Sequence, residues 1–229
     1  MAPMPPLDVL YEDNHLLAVN KPAGLPTMGV ADDVPSLLTI AKQYVKVRYQ
    51  KPGNVYLGAM SRLDAPVTGI VLLARTSKAA ARLTEQFRTR TVDKLYWAIV
   101  TGPIPDSAEL VDFLAKDERH RRMHVVEKTR QGAQEARLSF RRIERLPAGS
   151  LLEVRLETGR KHQIRLQLSS RGWPVLGDRK YGGTVAFTPG IALHARQLRF
   201  EHPTRDEEIT LVAPLPPSWR RFDIQGTAR

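Results

Sequence analysis

The stretch EARLSFRRIERLPAGSLLEVRLETG, Glu135–Gly159, decides the fold class. Apolar and polar residues alternate on both sides of Pro147–Gly149, which is the two-residue period of strands that bury one face. Strands joined by so short a turn run antiparallel, because parallel strands need a long crossover connection. The stretch therefore predicts an antiparallel strand pair, and with it a sheet built from such pairs.

Segments on either side of this stretch are expected to add helices and further strands. Apolar residues recur at helical spacing in 36–49 and 77–90, with Ser36 and Ser77 as expected N-caps, and a third helix is expected after Thr158-Gly159. Further strands are expected within 7–27, 69–74, 92–102, 191–203 and 207–216. The sequence thus predicts an α+β fold: a single domain on a mixed, mostly antiparallel β-sheet with flanking helices and a central catalytic cleft.

Composition shifts divide the chain into three parts. Residues 1–6 contain three prolines and are expected to form a flexible leader, and 216–229 to form a C-terminal tail. The domain itself is expected over 7–215. Within it, the basic and weakly periodic stretch 115–135 predicts an exposed loop or ribbon.

The charge of the chain favours a polyanionic partner. Its 229 residues carry 35 Lys and Arg against 24 Asp and Glu, a formal net charge of +11. Nucleic acid is the simplest such partner, since a long basic amphipathic helix that would bind a membrane surface is absent from the pattern. No apolar run is long enough for a transmembrane helix, the start lacks the pattern of a signal peptide, and there are no cysteines to form disulfides. We therefore expect a cytoplasmic protein.

Asp64 is the first candidate for chemistry. In SRLDAPVTG, Ser61–Gly69, the acid stands directly before an apolar run, where a charge costs free energy unless it is paired. Asp before Ala-Pro also suits the start of a turn. The spacing alone leaves both interpretations open, with the turn as the more common case.

Two further segments could take part in a site. Alternation in DKLYWAIV, Asp93–Val100, places Tyr96 on one strand face, where a half-buried aromatic is ordinary. The segment LETGRKHQIR concentrates charge and hydrogen-bonding groups at Arg160, Lys161, His162, Gln163 and Arg165. Arginine forks bind phosphate or carboxylate with two hydrogen bonds, although a solvated basic face is the more common outcome of such a run. The histidines show no metal-type spacing, and we predict no metal site.

Together these segments resemble the RluA-type pseudouridine synthases. That family carries a His-Arg-Leu-Asp motif before a Thr-Ser-Gly turn, matched by SRLDAPVTG, and a Lys-x-Tyr-x-Ala-x-Val strand, matched by KLYWAIV. Its Leu-x-Thr-Gly-Arg-x-His-Gln-Ile-Arg segment is matched by LETGRKHQIR, which GDRKYGG follows as in the family. Motifs in a shared order are far more specific than any one alone. The resemblance is to a catalytic domain without a separate N-terminal RNA-binding domain.

The resemblance implies an RNA isomerase that converts uridine to pseudouridine without a cofactor. Asp64 is implied as the catalytic acid, Tyr96 as the ring that stacks on uracil and a candidate proton acceptor, and Arg165 as the partner of Asp64. The residues implied to bind RNA or substrate are Lys21, Arg62, Arg160, Lys161, His162 and Gln163. The expected partner is tRNA or rRNA, with no obligate protein partner, and the protein is expected to be a monomer.

Departures from the family pattern concern the substrate more than the reaction. Ser61 stands where His is common, Val67-Thr68 where Thr-Ser is common, and Gln167 where a second His is frequent. A non-catalytic RNA-binding protein with the same fold is the alternative, but it does not need the Asp, Tyr and Arg set. A metal-dependent nuclease needs clustered carboxylates, and Asp64 has none within ten residues on either side.

Overall fold

The computed structural model describes residues 6–31, 33–117 and 122–224. The chain folds as two compact units, and it passes between them after Val92, after His194 and after Pro214. The first unit comprises Met1–Val92 with Ala195–Pro214, and the second comprises Asp93–His194 with Leu215–Arg229.

Antiparallel strands form the sheet of the first unit. Its elements are β1 (Val9–Glu12), β2 (Leu16–Lys21), β3 (Gly58–Ala59), β4 (Thr68–Ala74), β10 (Leu193–Glu201, which begins in the second unit) and β11 (Glu208–Val212). Strand β2 pairs with β1 and β4, β3 also pairs with β4, and β10 pairs with β11. All seven residues of β4 are buried, as expected for a strand covered on both faces.

Two helices complete the first unit. Helix α1 (Leu37–Arg48) begins at a capping box in which the Ser36 hydroxyl accepts from the Thr39 amide at 3.2 Å, and the Thr39 hydroxyl accepts from the Ser36 amide. Helix α2 (Ser77–Thr89) is capped by Thr76, whose hydroxyl accepts from the Ala79 amide, so the expected cap at Ser77 was one residue too late. Both residues carry a hydroxyl, and only the backbone geometry distinguishes them.

The core of the first unit lies between α2 and the strands. It is a cluster of buried apolar side chains from β2, β4, α2, β10, β11 and two residues next to strands: Leu16, Ala18, Ile70, Leu72, Ala74, Ala79, Leu83, Val92, Leu198, Phe200, Ile209, Leu211 and Ala213. Since burial of apolar surface contributes on the order of 25 cal/mol per Å², this cluster is an important source of the unit's stability.

The second unit contains a meander of antiparallel strands in the order β5-β9-β8-β6-β7. The strands are β5 (Asp93–Val100), β6 (Ser107–Asp117), β7 (Arg122–Val126), β8 (Gln134–Leu146) and β9 (Gly149–Leu156). Strands β8 and β9 form the hairpin expected from the alternating pattern, with Leu146 opposite Gly149. At Gly149, with φ of +153°, a Cβ atom would lie 2.1 Å from the Val100 carbonyl oxygen, which explains the glycine.

Helix α3 (Gln163–Ser169) follows the Thr158-Gly159 break, where a helix was expected. It packs on the strands through a small buried cluster, Leu114, Met123, Ala136, Leu166 and Tyr181. Short 3₁₀ helices occur at Arg179–Tyr181 and Pro217–Phe222. Trp219 is 1% exposed, so the C-terminal segment is held to the second unit at least as far as this residue.

The basic stretch 115–135 contains a β-ribbon. Strands β6 and β7 pair from Phe113 opposite Val126 to Asp117 opposite Arg122, and residues 118–121 at the tip lie outside the described residues. Residues 1–5 of the expected leader and 225–229 of the expected tail lie outside them too.

The α+β class with a mostly antiparallel sheet, predicted from the sequence, is confirmed. None of the helices in the described ranges is both long enough and apolar enough to cross a membrane.

Candidate active site

Asp64 lies in the loop that leads from β3 into β4. Its carbonyl oxygen accepts from the Val67 amide at 3.0 Å, so the acid does begin a turn, and the residue is partly exposed. The residue before it is fixed by Thr27: the Leu63 amide donates to the Thr27 hydroxyl oxygen at 3.1 Å, and that hydroxyl donates back to the Leu63 carbonyl at 2.8 Å. Both partners are buried.

The residue after Asp64 is fixed as well. The Ala65 carbonyl accepts from the Gly24 amide at 2.8 Å and from the Lys21 ammonium at 3.1 Å. Residues 21–27, here called the lysine loop, therefore hold both neighbours of the acid. Gly24 has φ of +85°, a conformation that strongly favours glycine. The loop restricts where the Asp64 backbone can be.

Lys21 is fully buried, and its ammonium group is saturated by the protein. Besides Ala65 it donates to the carbonyl oxygens of Pro22 at 2.9 Å and Leu25 at 2.7 Å, which uses all three of its N–H donors. Burial lowers the pKa of Lys21 from 10.5 to about 8, and the negative charge of Asp64 opposes this shift. The described contacts of Lys21 are with protein; its expected contact with RNA stays a prediction.

Ser61 and Arg62 lie in the same β3–β4 loop as Asp64. Arg62 is exposed. Ser61, the departure at the start of the motif, accepts a hydrogen bond from the Leu72 amide at 3.2 Å and so supports the strand. At Gly69, with φ of +109°, a Cβ atom would lie 2.3 Å from the Ala195 carbonyl oxygen, so the turn into β4 needs glycine.

The second unit holds the other candidate residues. Tyr96 lies on β5 opposite Val154 of β9 and is partly exposed, as the alternating pattern indicated. Arg165 lies on α3 with its side chain 5% exposed.

Arg165 forms a buried, two-bonded ion pair with Asp178. Its Nε donates to Asp178 Oδ2 and its Nη2 to Asp178 Oδ1, both at 2.7 Å, and the Asp178 side chain is 1% exposed. The guanidinium carbon also lies 5.0 Å from the centre of the Tyr181 ring. Asp178 belongs to the GDRKYGG segment, but nothing in its spacing indicated that it pairs with Arg165.

Tyr181 also links His162 to this pair. The Tyr181 hydroxyl lies 2.6 Å from His162 Nδ1, and the Ser169 hydroxyl donates to the Tyr181 carbonyl at 2.5 Å. His162 has φ of +57°, a conformation that costs a non-glycine residue roughly 1–3 kcal/mol and often marks functional sites. His162 and Arg165 thus both contact one buried tyrosine.

The remaining predicted residues of this unit differ in exposure. Gln163 is buried and its amide is hydrogen-bonded through both polar atoms: Oε1 accepts from the Thr158 hydroxyl and the Arg160 amide, and Nε2 donates to the Arg137 carbonyl. Arg160 donates from Nε to the Glu135 carbonyl at 3.0 Å. Lys161 is exposed.

Gln167, the third departure from the family pattern, is buried away from solvent. Its Nε2 donates to Asp112 Oδ2 at 2.8 Å, and Asp112 in turn pairs with Arg171 at 2.8 Å. This departure therefore lies in a structural hydrogen-bond network. In the ranges that the structure describes, no three His, Asp or Glu residues are grouped so that they could hold a metal ion.

Comparison with known families identifies what this arrangement resembles. The profile of the RNA pseudouridylate synthase family matches residues 15–170, which include Lys21, Asp64, Tyr96 and Arg165. A curated relative from Synechocystis sp., named an uncharacterized RNA pseudouridine synthase, is 37% identical over 227 residues, covering 95% of this chain and 68% of the relative. Ribosomal large subunit pseudouridine synthase D of Xylella fastidiosa is 34% identical over 228 residues, covering 92% and 66%. This chain spans about two thirds of the length of these relatives.

Solved structures give the same result. Human RNA Pseudouridylate Synthase Domain Containing 4 is similar with a TM-score of 0.76 and 28% identity, covering 94% of this chain and 93% of that chain. Human RNA Pseudouridylate Synthase Domain Containing 1 has a TM-score of 0.72 and 25% identity over 94% and 87%. Likeness over nearly the whole chain supports the fold class predicted from the sequence, a mixed, mostly antiparallel sheet with a few helices.

Proposed function

The chain belongs to the RNA pseudouridylate synthase family, and we propose that it isomerises uridine in structured RNA with Asp64 as its catalytic acid. The bond between ribose and N1 of uracil breaks, the base rotates, and a bond forms between the ribose and carbon 5. Carbon 5 then loses its proton and N1 gains one, so the reaction is balanced within the nucleotide and water. An ionised Asp64 acts on the ribose, either as nucleophile or as base.

The observation that carries this proposal is the way Asp64 is held. A carboxylate that merely starts a turn needs neither fixed neighbours on both sides nor a buried ammonium group. Here Leu63 and Ala65 are bonded to the lysine loop, and Lys21 interacts electrostatically with Asp64. A fixed cation favours the ionised carboxylate, which is the form the reaction requires. We assign Lys21 to this task.

Tyr96 and Arg165 complete the proposed chemistry. The Tyr96 ring stacks on the uracil, and its hydroxyl accepts the proton from carbon 5. Arg165 supplies a second positive charge and is proposed to pair with Asp64, as the family resemblance implies. The motif matches around both residues support these roles.

RNA binding follows from exposed positive charge. Arg62 takes the place that the extruded base leaves in the RNA stack, since extrusion costs a few kcal/mol that such a contact offsets. Arg160, Lys161 and His162 bind backbone or substrate, together with the β6–β7 ribbon. The net charge of +11 supports phosphate contacts as the main source of affinity.

Ribosomal RNA is the substrate we propose first, because several relatives carry the name ribosomal large subunit pseudouridine synthase D. Transfer RNA is the other substrate class. The protein is proposed to act as a monomer in the cytoplasm, and size-exclusion chromatography with light scattering tests the oligomeric state.

Tritium release from RNA labelled at carbon 5 of uridine tests the function directly. Large-subunit ribosomal RNA and bulk tRNA are labelled to equal specific activity and incubated separately with the protein. We expect one tritium released per modified uridine from ribosomal RNA, with less from tRNA. Tight binding of either RNA without any release would instead favour the non-catalytic RNA-binding alternative.

A further inference from the structure

Asp178 holds the Arg165 guanidinium in one orientation. A side-on pair through Nε and Nη2 fixes both the plane and the rotation of the group, because a single hydrogen bond leaves rotation possible and two parallel bonds do not. The same geometry directs Nη1 to the side opposite the carboxylate. The Tyr181 ring, 5.0 Å from the guanidinium carbon, restricts the group further.

The backbone that carries this carboxylate is itself held in a tight turn. The Asp178 amide donates to the Val175 carbonyl at 3.0 Å, and the Asp178 carbonyl accepts from the amides of Tyr181 at 3.0 Å and Gly183 at 2.9 Å. A Cβ atom at Gly183 would lie 2.6 Å from the Val175 carbonyl oxygen, so the turn closes tightly. Asp178 is therefore a fixed point against which Arg165 is oriented.

Stability alone is a weak explanation for this pair. Both side chains are at most 5% exposed, and removing two charges from water costs about as much as their attraction returns. Apolar residues of similar size would fill the same space without that cost. A buried, two-bonded partner does fix the orientation of a charged group, which an apolar neighbour cannot do.

We propose that Asp178 is a positioning residue of the isomerase: through its side-on pair it orients Arg165, so that the edge of the guanidinium not bonded to Asp178 faces the reacting nucleotide. This inference rests on the proposed function. Asp178 does not itself touch the substrate, so its effect is transmitted only through Arg165.

Asp178→Asn tests the assignment, since it keeps the shape but turns one acceptor into a donor that faces a guanidinium N–H. We expect kcat for tritium release to fall about 100-fold, the cost of a misplacement near 1 Å, with the KM for RNA changed less than about twofold. Asp112→Asn is the matched control: it weakens another carboxylate–arginine pair in the same unit without touching Arg165. Its kcat is expected to stay within about twofold of wild type.

Arg165→Lys gives a second route if Asp178→Asn does not fold. Lysine keeps a positive charge opposite Asp178 but cannot form the two-bonded pair, and we expect a similar fall in kcat. In the Arg165→Lys background, Asp178→Asn should add less than about threefold, because a residue that acts through Arg165 has little left to orient.

The outcomes separate this inference from the proposed function. No release by the wild-type protein from any RNA would contradict the function itself. Two results would overturn the positioning role and leave the function standing. One is loss of activity in Arg165→Met together with a wild-type kcat in folded Asp178→Asn. The other is loss of activity in Arg165→Met together with a wild-type kcat in Arg165→Lys.

Discussion

The buried ammonium of Lys21 donates a hydrogen bond to the carbonyl oxygen of Ala65, the residue that follows Asp64, at 3.1 Å. Lys21 ends β2 and Ala65 lies 44 residues later, so the bond joins two loops that are distant in sequence. It connects the position of the acid to the charge state of one lysine. The activity of the protein should therefore depend on that charge.

Lys21→Met should lower kcat by at least tenfold, about 1.4 kcal/mol in the barrier. The variant loses the cation near Asp64 and leaves three carbonyl oxygens without their donor. Tritium release at saturating RNA measures the effect. Lys42→Met on the exposed face of α1 removes one charge as a control and should keep wild-type kcat.

Raising the pH should have opposite effects on the activity and the stability of the wild-type protein. With a folded pKa of about 8, Lys21 loses its proton above pH 8 and activity should fall with a midpoint there. The unfolded chain keeps that proton up to about 10.5, so the contribution of Lys21 to the free energy of unfolding rises between pH 8 and 10.5. Rate measurements paired with urea unfolding at each pH check both signs. Activity that stays constant to pH 10 would contradict a role for the charged lysine.

Arg165→Met should destabilise the protein by roughly 3–5 kcal/mol, because it leaves the buried Asp178 carboxylate without its two-bonded partner. Adding Asp178→Asn to this variant removes the stranded charge and should recover part of the loss. Urea unfolding of the two single variants and the double variant gives the coupling energy. Strictly additive single effects would mean that the pair does not couple.

Tyr96→Phe keeps the ring and removes the hydroxyl, so RNA affinity should hold while kcat falls by at least about tenfold. Filter binding and single-turnover tritium release on the same RNA separate the two quantities. Weaker binding with an unchanged single-turnover rate would make the hydroxyl a binding group and would require another proton acceptor.

Replacing Arg122, Lys128 and Arg130 by Gln should flatten the salt dependence of RNA binding. These residues are exposed on β7 and the turn after it, and each phosphate contact contributes a slope of about −0.7 to −0.9 in a plot of log K against log salt. The slope should therefore become about two to three units less steep. A control variant replaces Lys42, Lys46 and Lys51 by Gln. It removes the same amount of positive charge elsewhere and should leave the slope unchanged. A steep slope retained in the first variant would locate the phosphate contacts outside the ribbon.

Local structure was largely predictable from the sequence. The alternation in 135–159 predicted the β8–β9 hairpin, and Ser36 with its helical apolar spacing predicted the start of α1. These features depend on neighbouring residues alone. The cap of α2 was placed one residue late, because Thr76 and Ser77 offer the same hydroxyl and the backbone angles decide between them.

Candidate site residues could be named from the sequence, but the contacts that they make in the structure could not. The family resemblance implied contact with RNA for Lys21 and pairing with Asp64 for Arg165, and both stay predictions. Burial of Lys21 under three carbonyls and the pairing of Arg165 with Asp178 depend on how loops fold over one another. Such contacts leave no periodic signal in a single sequence.

Asp64→Asn provides the most direct test of the central claim, that the ionised Asp64 carboxylate performs the reaction. The change keeps the shape of the side chain and the backbone bonds that hold Leu63 and Ala65. Single-turnover tritium release from ribosomal RNA labelled at carbon 5 should fall below detection, while RNA affinity and thermal stability stay near wild type. A variant that retains about a tenth of the wild-type rate, a loss of only about 1.4 kcal/mol, would contradict the assignment of Asp64 as the catalytic acid.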